Sequence, residues 1–249
     1  MEAVTPQPVG MPQQPAPPPP APLPDAKKGR SARAFVAVAI ALIFLAGAGA
    51  AFYTGSLQSK QPAPVHKPPV DSTPYPTAWV NLNTSYGDIT IGLYGNETPV
   101  TTGNFMNLTK TGFYTCTTFH RVVKGFVIQG GGYTLENLAK PVPYPPIKLE
   151  INSKLHNLRG TVSMARTSDP DSATTQFFIN LVDNSAGKLD PGGYSQEGYA
   201  VFGVVVKGMD VVDRIAQAPT GTAQGSSERS LPDVPIIING ATTVPAPAG

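Results

Sequence analysis

Short segments of alternating apolar and polar residues, separated by turn residues, dominate the chain from residue 77 onward. In residues 88–94, Ile89, Ile91 and Leu93 fall on one face of an extended strand. Residues 80–84 can pair with this strand across the turn Ser85-Tyr-Gly87. The same pattern predicts further strands at residues 126–129, 161–165, 176–180, 200–206 and 234–238.

Two segments have helical rather than strand spacing. The first is predicted to have Thr98 at its N-cap and Pro99 at its first helical position, and to end near residue 112. Its apolar side chains are expected to be buried, namely Val100, Phe105 and Leu108. The second runs over residues 209–217. Its apolar face is formed by Met209, Val212 and Ile215. Many short strands and two helices predict a mainly β fold, a closed antiparallel barrel capped by two α-helices.

The N-terminal part contains a run of 20 residues without a formal charge, residues 34–53. An α-helix of this length spans roughly 30 Å, the thickness of the hydrocarbon core of a bilayer. Basic residues precede the run, at Lys27, Lys28, Arg30 and Arg33. Because basic flanks stay in the cytoplasm, the run predicts a membrane anchor with the large domain on the far side. The alternative is a cleaved signal peptide, since residues 46–51 are small, as signal peptidase requires.

Proline-rich segments lie on both sides of this run, so the chain divides into five parts. We expect a disordered cytoplasmic tail at 1–33, the transmembrane helix at 34–53, a linker at 54–76, one folded domain at 77–245 and a short tail at 246–249. A polyproline ligand function for the first tail is the alternative to a passive role.

The charge distribution bears on partners. Of 18 basic and 16 acidic side chains, four and two lie in residues 1–33, which leaves 14 of each in the remainder. The folded part therefore has no basic excess to neutralise phosphates, and nucleic acid is not an expected partner. The single cysteine, Cys116, excludes an internal disulfide.

Common catalytic arrangements are missing from the sequence, which has neither a Gly-x-Ser-x-Gly elbow nor a Walker-type loop. The three histidines have no cysteine or carboxylate at metal-ligand spacing, so we predict no metal and no cofactor. By pattern alone, Arg121 in a strand would be a solvated surface residue, and Phe126 and Phe178 would be ordinary core residues.

Three long segments nevertheless resemble one family. They are Phe119-His-Arg-Val-Val-Lys-Gly-Phe-Val-Ile-Gln-Gly-Gly131, then Gly160-Thr-Val-Ser-Met-Ala-Arg166 with Asp171-Ser-Ala-Thr-Thr-Gln-Phe-Phe-Ile-Asn180, then Tyr199-Ala-Val-Phe-Gly-Val-Val-Val-Lys-Gly-Met-Asp210. Their residues and order are similar to the cyclophilin-type peptidyl-prolyl isomerases, over about residues 79–244. The Ala165-Arg-Thr167 segment and the long loop at 183–198 look closest to bacterial exported cyclophilins. The resemblance implies an eight-stranded barrel.

The resemblance also implies residue roles. Arg121 would be the donor that stabilises the twisted amide, and Gln129 and Gln176 would orient it and bind substrate. The proline ring would lie on Phe126, Val127, Phe178, Leu189 and Tyr199. The backbone at Ala165 and Arg166 would hold the peptide extended.

Several positions depart from the family's usual residues. Val127 stands where many cyclophilins have Met, Tyr199 where many have His, and Arg166 where many have Asn. Lys188 lies near the place of the Trp that contacts cyclosporin, so weak drug binding is expected.

The expected function is isomerisation of X-Pro bonds, assisting the folding of exported proteins. The expected partners are proline-containing polypeptides and, through residues 34–53, the membrane, with a monomeric isolated domain. The alternative is a non-enzymatic chaperone or scaffold that binds proline-containing segments.

Overall fold

The structure, a computed structural model, describes residues 73–223 and 227–247. The predicted tail at 1–33, the predicted membrane helix at 34–53 and residues 54–72 of the predicted linker lie outside this part. Among the residues that are described, no helix is both long enough and apolar enough to cross a membrane.

The described residues form one large antiparallel sheet, one small hairpin and two α-helices. The strands are β1 (Ala78–Thr84), β2 (Gly87–Leu93), β3 (Thr117–Thr118), β4 (Arg121–Val123), β5 (Val127–Gly130), β6 (Thr161–Met164), β7 (Phe177–Asn180), β8 (Val201–Lys207), β9 (Thr220–Thr222), β10 (Arg229–Pro232) and β11 (Ile237–Val244). The helices are α1 (Pro99–Lys110) and α2 (Met209–Ala216). The nine-stranded sheet has the order β3-β11-β1-β2-β8-β6-β7-β5-β4, and β9 pairs with β10. The β1–β2 hairpin is in the predicted place, with Thr84 opposite Gly87.

The sheet curls but does not close, so the prediction of a closed eight-stranded barrel is wrong. In the described chain, β3 and β4 are the two edges of the sheet. They are consecutive in sequence, and the two residues between them do not form a turn that could pair them. Backbone hydrogen bonds instead join β3 to the residues that follow β5, from Thr118 N–H to the Tyr133 carbonyl (3.0 Å) and from Gly131 N–H to the Thr118 carbonyl (3.3 Å). Strands β3 and β5 approach closely at Gly130, where a Cβ would lie 2.9 Å from the Thr118 carbonyl oxygen.

Helix α1 begins as predicted at Pro99, but its capping and its buried face differ from the prediction. The Thr98 side chain does not cap the helix. The carboxylate of Glu150 does so, accepting from the N–H groups of Val100 (3.1 Å) and Thr101 (2.7 Å). Val100 itself is 49% exposed. Because it precedes the buried Phe105 by five residues, it lies about 140° away around the helix.

Helix α2 and the last strand show the same kind of shift. In α2, Val212 and Ile215 are buried as predicted, while Met209 is only partly buried against the core. The last strand was predicted at 234–238 but begins at Ile237 and continues to Val244. Val234 is 73% exposed. Residues 240–244, which the sequence pattern did not assign to a strand, pair with β1 in the sheet.

The main core lies inside the curled sheet and is rich in aromatic rings. Phe105 of α1 contacts the rings of Phe177 and Phe202, with centroids 5.5 and 5.1 Å apart. All three side chains are fully buried. This packing fixes the positions of β7 and β8, and the opposite face of the same sheet carries the candidate site.

Candidate active site

A row of cross-strand neighbours forms one wall of a pocket on the face of the sheet opposite the main core. Arg121 of β4 lies opposite Gln129 of β5, and Gln129 lies opposite Phe178 of β7. Because residues directly opposite each other on neighbouring strands share a face of the sheet, these three side chains project to the same side. The adjacent row projects into the main core and consists of Val122, Ile128 and Ile179. Strand register therefore places a cation, an amide and an aromatic ring side by side.

The apolar part of the pocket is a small cluster separate from the main core. Its buried members are Val127, Phe178 and Leu189. Its partly buried members are Phe126, Ala165 and Tyr199. The rings of Phe178 and Tyr199 meet edge to face, with centroids 5.7 Å apart. The cavity they border measures about 250 Å³. An apolar cleft with few polar groups is the usual form of a ligand site.

Nine of the ten residues predicted from the sequence line this one cavity: Arg121, Phe126, Val127, Gln129, Ala165, Arg166, Phe178, Leu189 and Tyr199. The tenth, Gln176, borders an adjoining depression together with Gln129 and Ala165. Its side-chain oxygen accepts a hydrogen bond of 3.0 Å from the Gln129 amide. The Ala165 N–H donates to the Gln176 carbonyl at 2.9 Å. The structure thus brings all ten residues together.

The Arg121 guanidinium is held from two sides. Its Nε and Nη2 donate to the two carboxylate oxygens of Glu228, at 2.7 and 2.8 Å. Its Nη1 makes a longer contact of 3.4 Å with Gln129 Oε1. The Cζ atom lies 5.9 Å from the centroid of the Phe126 ring. The cation therefore stands at the polar edge of the apolar cluster.

A buried polar network supports the loop between β7 and β8. Asn184 donates to the Phe126 carbonyl (2.9 Å) and to the side chain of Asn180 (3.0 Å). Asp190 accepts from the backbone and the side chain of Asn157, both at 2.9 Å. Partial burial tends to raise the pKa of Asp190, but these bonds and the contact with His156 outweigh it and hold the pKa below its ordinary value. The network positions the adjacent Leu189 and fixes one wall of the pocket.

Sequence reasoning missed two residues at the site, one that lines the cavity and one that pairs with Arg121. Tyr194 lines the cavity, with its ring 6.3 Å from that of Phe126, although the side chain is 69% exposed. Glu228 contacts Arg121 across 107 positions of sequence. Neither lies in an alternating or helical pattern, so no local feature indicated them. Lys188, expected near the drug-contact position, instead donates to the Asp183 carbonyl at 3.0 Å.

Comparison with known proteins agrees with this geometry. The family model for "Cyclophilin type peptidyl-prolyl cis-trans isomerase/CLD" matches residues 79–241. The chain belongs to the cyclophilin family. This cyclophilin is 47% identical over 162 residues to the peptidyl-prolyl cis-trans isomerase of Acinetobacter baylyi, a match that covers 64% of this chain and 81% of that protein. It is 43% identical over 163 residues to isomerase B of Escherichia coli, covering 66% and 98% of the two chains.

A solved structure extends the likeness to the fold. A cyclophilin-type isomerase from Cryptosporidium parvum superposes with a TM-score of 0.55 at 26% identity, covering 68% of this chain and 99% of that one. The curled sheet is therefore the cyclophilin fold. The chain is a peptidyl-prolyl cis-trans isomerase, as the sequence resemblance implied.

Proposed function

We propose that this cyclophilin isomerises X-Pro bonds of exported polypeptides, with Arg121 as the hydrogen-bond donor that stabilises the twisted amide. The observation that carries the mechanism is the position of the Arg121 guanidinium beside an apolar cavity, at the end of the row Arg121, Gln129 and Phe178.

Isomerisation of an X-Pro bond requires no covalent bond between the substrate and the protein. Partial double-bond character of the C–N bond creates a barrier of about 20 kcal/mol, so uncatalysed isomerisation takes tens of seconds or longer. In the twisted amide resonance is lost and the prolyl nitrogen regains its lone pair. A fixed cationic donor near that nitrogen binds the twisted form better than either planar form, and this difference lowers the barrier.

The remaining pocket groups suit binding rather than chemistry. The proline ring would pack on the cluster of Val127, Phe178 and Leu189, whose side chains are buried against one another. Gln129, bonded to Gln176, would present its amide to the peptide beside Arg121. Recognition through one proline and the peptide backbone implies loose sequence specificity.

The proposed location is the far side of a membrane, with the N-terminus in the cytoplasm. It is supported by the uncharged residues 34–53 and the basic residues that precede them on one side only. Exported polypeptides passing this membrane would be the proline-containing substrates.

The test is a proline-isomerisation assay on the purified full-length chain and its Arg121→Ala variant. We expect kcat/KM to fall by roughly 10²-fold or more, the range found when one preorganised donor is removed. Arg121→Lys should restore little of it, because an ammonium group does not reproduce the planar fork. Peptide affinity should weaken much less than the rate, since the apolar pocket remains.

Phe178→Ala is the contrasting variant, because emptying the pocket should reduce peptide binding and rate together. Near-normal turnover of a well-folded Arg121→Ala protein, judged by its thermal melt, would refute the donor role. The binding-module alternative predicts two results together. The wild-type protein would show no turnover, and the wild type and Arg121→Ala would bind proline peptides equally well.

A further inference from the structure

The pairing of Arg121 with Glu228 has the geometry of a clamp. Both carboxylate oxygens accept hydrogen bonds from one edge of the guanidinium, at 2.7 and 2.8 Å. Such parallel pairing fixes the plane of the guanidinium as well as its position, which a single contact cannot do. Glu228 immediately precedes β10 and lies outside the three quoted segments at 119–131, 160–180 and 199–210, although the family model spans it.

The clamp leaves some of the guanidinium N–H groups of Arg121 available to a substrate. The guanidinium has five N–H groups. Glu228 takes one from Nε and one from Nη2, and Gln129 takes one from Nη1 at a longer distance. Within the described residues, one N–H on each terminal nitrogen is left. These belong to a group that lines the cavity, so the clamped orientation is compatible with donation to a bound peptide.

The ion pair between Arg121 and Glu228 is not expected to contribute much to the stability of the fold. The side chains of Arg121 and Glu228 are 30% and 42% exposed. An ion pair this accessible to water is strongly screened and contributes little to the stability of a fold. A long arginine side chain must, however, lose its rotational freedom before it can act at one atom, and a partner that orders it beforehand removes that loss from the reaction.

Glu228 is itself held in place. The side chain of Ser230 in β10 helps to lower the pKa of its carboxylate, and β10 packs beside β4, the strand that carries Arg121. The hydrogen bond from Arg121 lowers the pKa of Glu228 from its ordinary value, so the paired carboxylate also stays ionised in more acidic solution. The packing of β10 beside β4 therefore keeps the Glu228 carboxylate next to the Arg121 guanidinium.

We propose that Glu228 is a positioning residue for isomerisation, holding the Arg121 guanidinium in the plane from which its remaining N–H groups reach the prolyl nitrogen. This inference rests on the proposed donor role of Arg121. It assigns to a residue in the β9–β10 hairpin a part in the rate but not in peptide binding.

The test is the isomerisation assay on the full-length chain with Glu228→Ala, Arg121→Ala and the double variant. Glu228→Ala should lower kcat about tenfold, within the range of coupling between contacting groups, and change KM less than twofold. In the Arg121→Ala background the same substitution should have no further effect. Glu228→Gln keeps the shape of the side chain but only one acceptor oxygen. Its kcat should therefore lie between the values for the wild type and Glu228→Ala.

A matched control is Asp213→Ala. Asp213 pairs with Arg159 through both oxygens, at 2.9 and 2.8 Å, and both side chains are 48% exposed. Its removal deletes an equivalent surface ion pair away from the cavity and should leave kcat unchanged. A second readout is the ¹⁵N–¹H resonance of Arg121 Nε, assigned by its loss in Arg121→Ala. It should exchange slowly with water in the wild type and rapidly in Glu228→Ala.

The outcomes are separable. Unchanged or higher kcat in Glu228→Ala, with Arg121→Ala impaired, would overturn the positioning role alone. An equal loss from Glu228→Ala in both backgrounds would also overturn it, because the carboxylate would then act independently of Arg121. Full activity of Arg121→Ala would remove the donor role and the positioning role together.

Discussion

The guanidinium of Arg166 lies over the ring of Tyr199, with its Cζ atom 4.7 Å from the ring centroid. The Arg166 side chain is only 2% exposed. Its Nε and Nη2 donate to the Gly198 carbonyl at 3.1 and 2.8 Å, and Nη1 donates to the Thr167 carbonyl at 2.9 Å. The sequence assigned this position a backbone role, whereas the structure shows the side chain tying the loop at 195–199 to the pocket wall.

Arg166→Ala should therefore weaken substrate binding more than the chemical step. The Gly198 carbonyl loses its partner and the Tyr199 ring loses the cation that lies over it, so we expect KM to rise several-fold and stability to fall by about 1–3 kcal/mol. Steady-state kinetics and a urea melt measure the two effects. Arg166→Lys should recover little, while the exposed Arg214→Ala serves as control. An unchanged KM in a folded Arg166→Ala protein would contradict this role.

Removing the Glu150 carboxylate should destabilise α1. Glu150 accepts from the N–H groups of Val100 and Thr101 and from the Thr101 hydroxyl, and so replaces the missing cap from Thr98. Glu150→Ala should cost about 0.5–2 kcal/mol, as for loss of an N-cap. Thermal melts of this variant and of the exposed control Glu136→Ala would measure the difference. Equal melting temperatures would show that Glu150 does not cap the helix.

Acid should weaken the fold through His120. Burial lowers the pKa of the His120 ring to about 4, below its ordinary value of 6.5. Between these values the unfolded chain binds a proton that the folded chain does not, so stability present above pH 6.5 is lost as pH falls toward 4. The loss from this group at pH 5 should be about 2 kcal/mol.

Urea melts at pH 7 and pH 5 test this, with each protein compared with itself. The difference between the two pH values should be smaller in His120→Gln than in the wild type. An identical difference in both proteins would show that protonation of His120 does not drive the acid effect.

Cyclosporin should inhibit weakly at best. The single tryptophan, Trp79, lies in β1, and the aromatic residues that line the cavity are Phe126, Phe178, Tyr194 and Tyr199. Lys188 donates to the Asp183 carbonyl, so we expect weak inhibition because the cavity lining contains no tryptophan, rather than because an ammonium group is buried. Inhibition of the full-length chain at submicromolar concentration would show this prediction to be wrong.

The predicted anchor has a direct biochemical test. If residues 34–53 are retained as a helix, the full-length protein should pellet with membranes and resist extraction by high salt. Replacing two apolar residues of this run with arginine should release it. A mature N-terminus near residue 51 would instead establish a cleaved signal peptide.

Local patterns predicted most elements of the fold because each element carries its own periodicity. Alternation at Ile89, Ile91 and Leu93 located β2, and these side chains are fully buried. The predictions were wrong where strand pairing depends on residues that are distant in sequence. The polar end of β11 is a strand only because β1 lies beside it, and the sheet stays open because β3 and β4 are joined without a turn.

The candidate site divides in the same way. The sequence by itself determined which residues form the pocket, because long similar segments carry Arg121, Gln129, Phe178 and their neighbours, and the structure brings these together. The tertiary structure alone decided what holds the Arg121 guanidinium. Glu228 meets Arg121 only after the β9–β10 hairpin packs beside β4. A contact between residues 107 positions apart depends on how distant strands pack, which no local pattern of polar and apolar residues encodes.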